Sequence, residues 1–476
     1  MSPVPNGTSQ PTEHVAWSLA IWIQKQLLDV SEDDSIHECG NAAIDILENR
    51  PDAAKDLAYE KLHAFPFRDV PECWRRLYEE ASIWIAVKHL ESAKESTNGT
   101  KASGRTAAAV KRNNDGTVKS VISKAQDSPA SWPTDVVKHL DMALILTGAP
   151  GRRSLIHDLF DRLEGYLNQV DPASSTSNLP ERFPRKPSST VLNHPVKRKD
   201  SISLLAFQQH LDLQGGPLVI QDIVNYWPAM ELWSNPQYLY RRTLHGQRLV
   251  PVELGRSYTD TDWSQKIMPF SEYLTDHLLR PDPDQTGYLA QHDLFDQVPA
   301  LVQDTITPDL CYAEPPDTVP DNIPIQQPKV DQPIRNAWLG PAGTISPLHT
   351  DPYHNILCQV VGQKYVRLYS PQETPKLYPR GVDEAGVSLE NTSHVDISVA
   401  RKLYPGAQRN GNADLLEPGK ESNDEVAAFE ELYPLFKGAR YMECVLDAGE
   451  CLYIPVGWWH YVESLEVSFN VSYWFN

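Results

Sequence analysis

Cysteine is sparse and long apolar runs are missing. The six cysteines, at positions 39, 73, 311, 358, 444 and 451, include no C-x-x-C pair. That spacing argues against zinc fingers and a disulfide framework, and it favours a reducing compartment. No stretch approaches the roughly 20 apolar residues of a membrane span. The segment Met1 to Thr12 is polar and lacks the apolar centre of a secretory leader. No membrane association is therefore expected, and the nucleus or the cytoplasm is the expected location. Basic residues are outnumbered: 43 lysines and arginines face 63 aspartates and glutamates, a formal charge of −20. Such a surface repels phosphate backbones, which excludes broad nucleic-acid binding. A basic protein or peptide is the partner it would attract.

What is present belongs to a globular chain of two or three domains. Its 476 residues are 41% apolar, with twelve tryptophans and twenty tyrosines, enough to build a sizeable core. Its 39 prolines fall mostly in connecting stretches, as in proteins with long loops. Residues 1–170 read as an α-helical domain. Val15, Leu19, Trp22 and Ile23 lie on one stripe, and Trp74, Leu77, Tyr78, Ala81, Trp84 and Ile85 form another at helical steps. Residues 94–130 are rich in Ser, Thr, Gly, Asn, Lys and Ala and read as a disordered insertion. A Pro/Ser-rich linker follows at 171–200. Its Arg185-Lys186 and Lys197-Arg198-Lys199 form a candidate nuclear-import signal, whose ordinary alternative is a solvated linker.

From 201 to 476 the pattern changes to short β-branched or aromatic runs: Pro217–Gln221, Arg248–Leu254, Tyr353–Val361, Lys364–Tyr369, Cys451–Pro455 and Val467–Phe475. The expected class is α+β, with a C-terminal double-stranded β-helix of the cupin (jelly-roll) type behind an N-terminal helical domain.

The chemistry centres on the segment Asn336 to Asp351. In extended chain, His349 and Asp351 stand two apart and point to one face. A second imidazole from a later strand would complete a two-histidine, one-carboxylate triad, which holds ferrous iron and leaves positions open for a cosubstrate and dioxygen. His460, in the aromatic stretch Gly449 to His460, is the best candidate. His354 is a rival too close to His349 to come from another strand, and His394 is a rival in a polar loop.

An isolated H-x-D is ordinarily a surface pair, so its neighbours must also make chemical sense. Val361-Gly-Gln-Lys364 reads as a tight turn into an alternating strand that shares one face among Lys364, Val366 and Leu368. An inward lysine is costly unless it meets an anion. The distal carboxylate of 2-oxoglutarate is such an anion, and Ser346 and Tyr258 could add hydroxyl donors; a structural salt bridge is the alternative. In the last strand, Asn470, Ser472 and Trp474 share a face suited to a wet cavity, while Phe469, Val471, Tyr473 and Phe475 face a core.

These residues resemble the JmjC-domain oxygenases dependent on Fe(II) and 2-oxoglutarate. The resemblance runs from about Ser201 to Asn476. It includes Val250-Pro-Val-Glu, Tyr258-Thr-Asp, Trp263-Ser-Gln, Gly287 to His292, Leu294-Phe-Asp-Gln297, Lys364-Tyr365 and Trp459-His-Tyr461. It implies iron on His349, Asp351 and His460, and 2-oxoglutarate on Tyr258, Ser346, Lys364 and Asn355, the last beside the keto group. Trp338 and Trp474 are implied to wall the prime-substrate pocket, with Glu253 as an acidic rim residue. The loop at about 406–425 is longer than the family leads one to expect.

The implied reaction hydroxylates a C–H bond of a protein side chain, with arginine favoured because the chain has no zinc module or evident chromatin-reader domain. Demethylation of histone methyl-lysine is the alternative by the same chemistry. A catalytically silent cupin-fold binding module is the alternative of another class. A zinc hydrolase would need a general base beside the metal motif, and none is evident. Trimming of histone tails has no nucleophile-and-base signature here either.

Overall fold

The computed structural model describes residues 12–28, 30–98, 132–170, 178–186, 190–259, 263–281, 285–316, 329–382, 388–410, 413–417 and 423–476. The chain divides into two compact units: Met1–Pro172 with Gln247–Leu249, and Ala173–Gly246 with Val250–Asn476.

The first unit is helical: α1 (Thr12–Leu27), α2 (Asn41–Asp45), α3 (Pro51–Leu62), α4 (Glu72–Asn98), α5 (Trp132–Thr147) and α6 (Arg153–Val170). Helix α4 touches α1, α3 and α5 and supplies the buried Leu77, Tyr78, Ala81, Ile85 and Leu90. It also buries charge. Arg76 is paired with Asp34 at 3.1 Å and with Glu80 at 2.5 Å, while Glu79 accepts the backbone N–H groups of Gly151 and Arg152. Each buried charge there has partners, as its desolvation requires. The helix runs to Asn98, so the start of the segment expected to be disordered is helical. Residues 99–131 of that segment lie outside the described residues.

The second unit carries the strands β1 (Arg198–Lys199), β2 (Leu218–Ile220), β3 (Leu249–Leu254), β4 (Ser264–Pro269), β5 (Gly287–His292), β6 (Ile334–Gly340), β7 (Ile345–His349), β8 (His354–Val361), β9 (Lys364–Tyr369), β10 (Gly406–Asn410), β11 (Ala413–Glu417), β12 (Tyr441–Leu446), β13 (Cys451–Ile454), β14 (Trp459–Ser464) and β15 (Ser468–Phe475). The major sheet has the order β1-β2-β13-β8-β15-β6-β5-β3-β4 and the minor sheet β12-β9-β14-β7. Side chains alternate between faces along each strand, so each sheet sorts its residues into separate cores. Val219, Leu357, Val366, Leu368, Leu446, Leu452, Ile454 and Val462 come from both sheets and fill the space between them. The outer face of the major sheet packs Ile356, Cys358, Tyr453, Phe469, Val471 and Tyr473 against helices. The outer face of the minor sheet packs Tyr365, Tyr369, Tyr441 and Tyr461 against the helices Ile397–Leu403 and Asn423–Leu432. This is the double-stranded β-helix expected from the strand pattern.

Three local readings gain structural detail. The tight turn Gly362-Gln363 joins β8 of the major sheet to β9 of the minor sheet, so it is a crossing between sheets. Gly362 has φ +73, and a Cβ there would lie 2.0 Å from the Val467 carbonyl oxygen, so only glycine fits. The segment expected to be a linker is partly built into the barrel. Val196 is buried in the inter-sheet core, its N–H donates to the Glu443 carbonyl at 2.9 Å, and Arg198–Lys199 pairs in parallel with β2. Its polar composition suggested a linker because its contribution is backbone pairing at a sheet edge. Arg198 of the basic cluster pairs with Glu450, and residues 171–177 and 187–189 lie outside the described residues. The long loop at 406–425 contains the hairpin β10–β11 and the start of the helix Asn423–Leu432; residues 411–412 and 418–422 are not described.

Candidate active site

Strand β7 ends on His349, and antiparallel β14 sets His460 directly opposite it. Directly opposed residues share a face and lie close enough for their side chains to meet. The two imidazole centroids are 4.2 Å apart. Asp351, two residues past His349, brings Oδ1 to 3.7 Å from His349 Nε2 and Oδ2 to 3.4 Å from His460 Nε2. One ligand atom from each of the three lies within 4.8 Å of the others. A β-bulge between His460 and Val462 adjusts the register here, a common device for re-aiming a side chain beside a site. The rivals are elsewhere: His354 Nδ1 is 2.9 Å from the Tyr453 hydroxyl, and His394 is not in the group.

Backbone carbonyls fix both rings. His349 Nδ1 lies 2.7 Å from the Pro347 oxygen, and His460 Nδ1 lies 3.0 Å from the Trp458 oxygen. With Nδ1 donating to a carbonyl, each Nε2 faces the shared point, the atom a metal would take once it carries no proton. Burial pushes the His349 imidazole down to about 4, with His460 adding to the effect. For His460 burial also works downward, but the Asp351 carboxylate outweighs it and holds that imidazole above its usual value. Burial opposes ionisation of Asp351, yet His460 overcomes it by charge and hydrogen bond, with help from His349 and an amide donated by Asn355, so the carboxyl stays below its usual range.

A cavity opens from this point, with about 350 Å³ of empty space when the adjoining open solvent is included. At one end is Lys364, 2% exposed, with Val366 and Leu368 on its face of β9 in the inter-sheet core. Its ammonium donates to the Tyr288 hydroxyl at 3.1 Å, and burial pushes its pKa down to about 7. Tyr288 is also hydrogen-bonded to Ser346. The expected Tyr258 is not among the residues lining the cavity with Lys364: its hydroxyl is 3.5 Å from Thr392 Oγ1, and the residue is partly exposed. Tyr288 stands in the segment Gly287 to His292 that carried the resemblance, but no spacing rule aligned it with Lys364 across two sheets. Trp338 lines the cavity and donates Nε1–H to Ser472 Oγ at 2.9 Å. Asn470 and Ser472 line it as well, while Trp474 stacks on Tyr353 with ring centroids 5.9 Å apart. Glu253 accepts from Trp263 Nε1 at 3.4 Å, and burial raises its pKa against that hydrogen bond.

Several buried groups in the cavity lack a protein partner: Asn355 Oδ1 and both amide atoms of Asn470. A buried lysine that meets, among the described residues, a neutral hydroxyl and no anion is likewise incomplete. These residues fit a small anion at the lysine end, and the two imidazoles with the ionised carboxylate fit a divalent metal, which would displace the His460 proton, at the other. A two-sheet barrel carrying that donor set has the build of a metal-binding protein of the cupin type.

Comparison with known proteins gives the family. The model of the cupin-like domain matches residues 204–476. Lysine-specific demethylase 8 of Xenopus tropicalis is 39% identical over 274 residues, covering 58% of this chain and 51% of that protein. Its Danio rerio namesake is 33% identical over 434 residues, covering 88% of this chain and 86% of that protein. Lysine-specific demethylase JMJ30 of Arabidopsis thaliana is 30% identical over 456 residues, covering 90% and 86%. The match thus spans about half the length of the frog protein and most of the fish and plant proteins. The chain belongs to the cupin-like family, in the JmjC group of 2-oxoglutarate-dependent protein oxygenases.

Proposed function

We propose that this chain hydroxylates a protein side chain, with arginine the favoured residue. Fe(II) is held by His349, Asp351 and His460, and 2-oxoglutarate is held at Lys364. The observation that carries this reading is the convergence of His349, Asp351 and His460 on the cavity that ends at Lys364. Bound there, iron and 2-oxoglutarate would couple dioxygen to C–H hydroxylation, releasing succinate and carbon dioxide.

The residues have separate tasks. Lys364 supplies the positive charge for the far carboxylate, and the Tyr288 and Ser346 hydroxyls complete its cradle. Asn355 steadies Asp351 through one amide N–H and has a second for the carboxylate beside the keto group. Leu357, Ile454 and Val462 line the cavity and exclude water. Trp338, Ser472 and Asn470 form the wall against which a side chain is positioned, and Glu253 stands opposite Tyr288 on the neighbouring strand. The half-buried Glu253 carboxylate suits a guanidinium. A basic substrate protein also suits a chain of charge −20.

The names of the demethylase relatives support a second reading, removal of a methyl group from methyl-lysine by the same chemistry. One assay separates the two. The full chain is given Fe(II), ascorbate and 2-oxoglutarate with arginine-containing and methyl-lysine peptides, and peptide mass and succinate are read. Gain of one oxygen on arginine, coupled to succinate and absent from His349→Ala, supports the hydroxylase. Loss of a methyl group moves the assignment to demethylation. Neither product, with no binding of 2-oxoglutarate, leaves the barrel a binding module.

A further inference from the structure

Strands β9 and β14 present different chemistry on their two faces. Lys364 and His460 point into the catalytic cavity, whereas Tyr365 and Arg367 of β9 and Glu463 of β14 line a second cavity. This second cavity has about 890 Å³ of empty space, open to solvent. The helix Ile397–Leu403 contributes Arg401 and Lys402 to it, and β12 contributes Glu443.

The two carboxylates are already satisfied. Glu443 accepts from the Tyr365 hydroxyl at 2.5 Å, from Arg367 at 3.3 Å and from the Asn193 backbone N–H at 2.5 Å. Glu463 is paired with Arg401 and accepts the Tyr461 hydroxyl at 3.2 Å. The Arg401 guanidinium lies over the Tyr365 ring, 3.6 Å from its centroid, which fixes its plane at the cavity. Lys402 is exposed and has no ion pair among the described residues. Three cations therefore face two engaged anions, leaving one positive charge in a concave site on a chain of charge −20. A concave site focuses that charge on small anions. The Tyr404 ring, Val191 and Pro405 add an apolar wall.

We propose that this outer cavity binds a small organic anion bearing a carboxylate or phosphate group, held by Arg401 and Lys402. It is separate from the 2-oxoglutarate site and takes a ligand independently of the reaction proposed above.

The test is calorimetric titration of the full chain at low salt with benzoate, inorganic phosphate and phenyl phosphate as probes. The expected result is saturable binding of at least one probe, with benzoate and phosphate distinguishing the two anion types. Binding should weaken about tenfold in Arg401→Gln and in Lys402→Gln, the scale of one lost charge-assisted contact. It should persist in Lys364→Met, so failure of the 2-oxoglutarate reading would leave this result intact. Lys402→Gln alters an exposed side chain, so it remains informative if Arg401→Gln unfolds. No saturable binding of any probe would overturn the proposal. So would binding that survives both outer substitutions or is lost in Lys364→Met.

Discussion

His460 stands directly opposite His349 across the antiparallel pair of β14 and β7, and the Asp351 carboxylate reaches both Nε2 atoms, at 3.4 and 3.7 Å. Three residues from two strands and the turn after one of them thus meet at one point. If that point holds the metal, Asp351→Asn and His460→Ala should each lower Fe(II) affinity by more than about a hundredfold, since even outer-shell changes cost 10–100-fold. Anaerobic metal titration reads this directly. Retention of tight Fe(II) binding in both variants would remove the triad from the account.

Lys364→Met should act in two opposite directions. It removes a buried cation whose hydrogen-bond partner among the described residues is the neutral Tyr288 hydroxyl, so the ligand-free protein should be at least as stable to heat as the wild type. It also deletes the partner of a buried carboxylate, which costs about 2–5 kcal/mol, or roughly 30- to several-thousand-fold in 2-oxoglutarate affinity. A loss of stability without a loss of affinity would mark Lys364 as structural.

The two tyrosines should also separate. Tyr288→Phe removes the hydroxyl beside Lys364 and should weaken 2-oxoglutarate binding by about 3–10-fold, the worth of one hydrogen bond. Tyr258→Phe should leave that affinity unchanged, because its hydroxyl faces Thr392. The reverse pattern would restore the role expected from sequence.

That contrast shows what the sequence could express. The His349–Asp351 spacing and the Lys364 alternation are local, because two-residue periodicity alone sets a shared face, and both expectations describe this structure. The face carrying Asn470 and Ser472 was legible for the same reason. Tyr288 was not, since β5 meets β6 with a register shift between Leu289 and His292, and no local pattern relates it to β9 in the other sheet. The tight turn at Gly362 was legible but its crossing between sheets was not, because a tight turn looks the same whether the next strand pairs with the last or joins another sheet. Residues 195–199 looked like linker because their contribution is backbone pairing and one buried valine.

Binding of 2-oxoglutarate should take up a proton. The Lys364 ammonium normally titrates at 10.5, and burial moves it to about 7 in the ligand-free protein. A bound carboxylate keeps it charged, so from about pH 7 upward the complex holds a proton that the free protein has lost. Affinity should then fall toward about tenfold per pH unit above 7 and be flat below it. Over the same window the unfolded chain keeps the proton and the ligand-free fold does not, so ligand-free stability gains from this group as pH rises. Calorimetry in two buffers of different ionisation enthalpy checks the uptake; identical heats would contradict it.

Gly362→Ala should destabilise the barrel by about 2 kcal/mol or more, from the left-handed backbone and the contact with the Val467 carbonyl oxygen. Denaturant unfolding measures it, and an unchanged midpoint would mean that the crossing between sheets can relax.

The most direct test of the central claim is an anaerobic titration of the full chain with Fe(II) and 2-oxoglutarate, followed by visible absorption. The account predicts a charge-transfer band that needs both components and saturates at a single equivalent of iron. The band should be lost in His349→Ala, and Lys364→Met should form it only at much higher 2-oxoglutarate concentration. Absence of the band from the wild type, or its survival in His349→Ala, would contradict the assignment of this cavity as an iron and 2-oxoglutarate site.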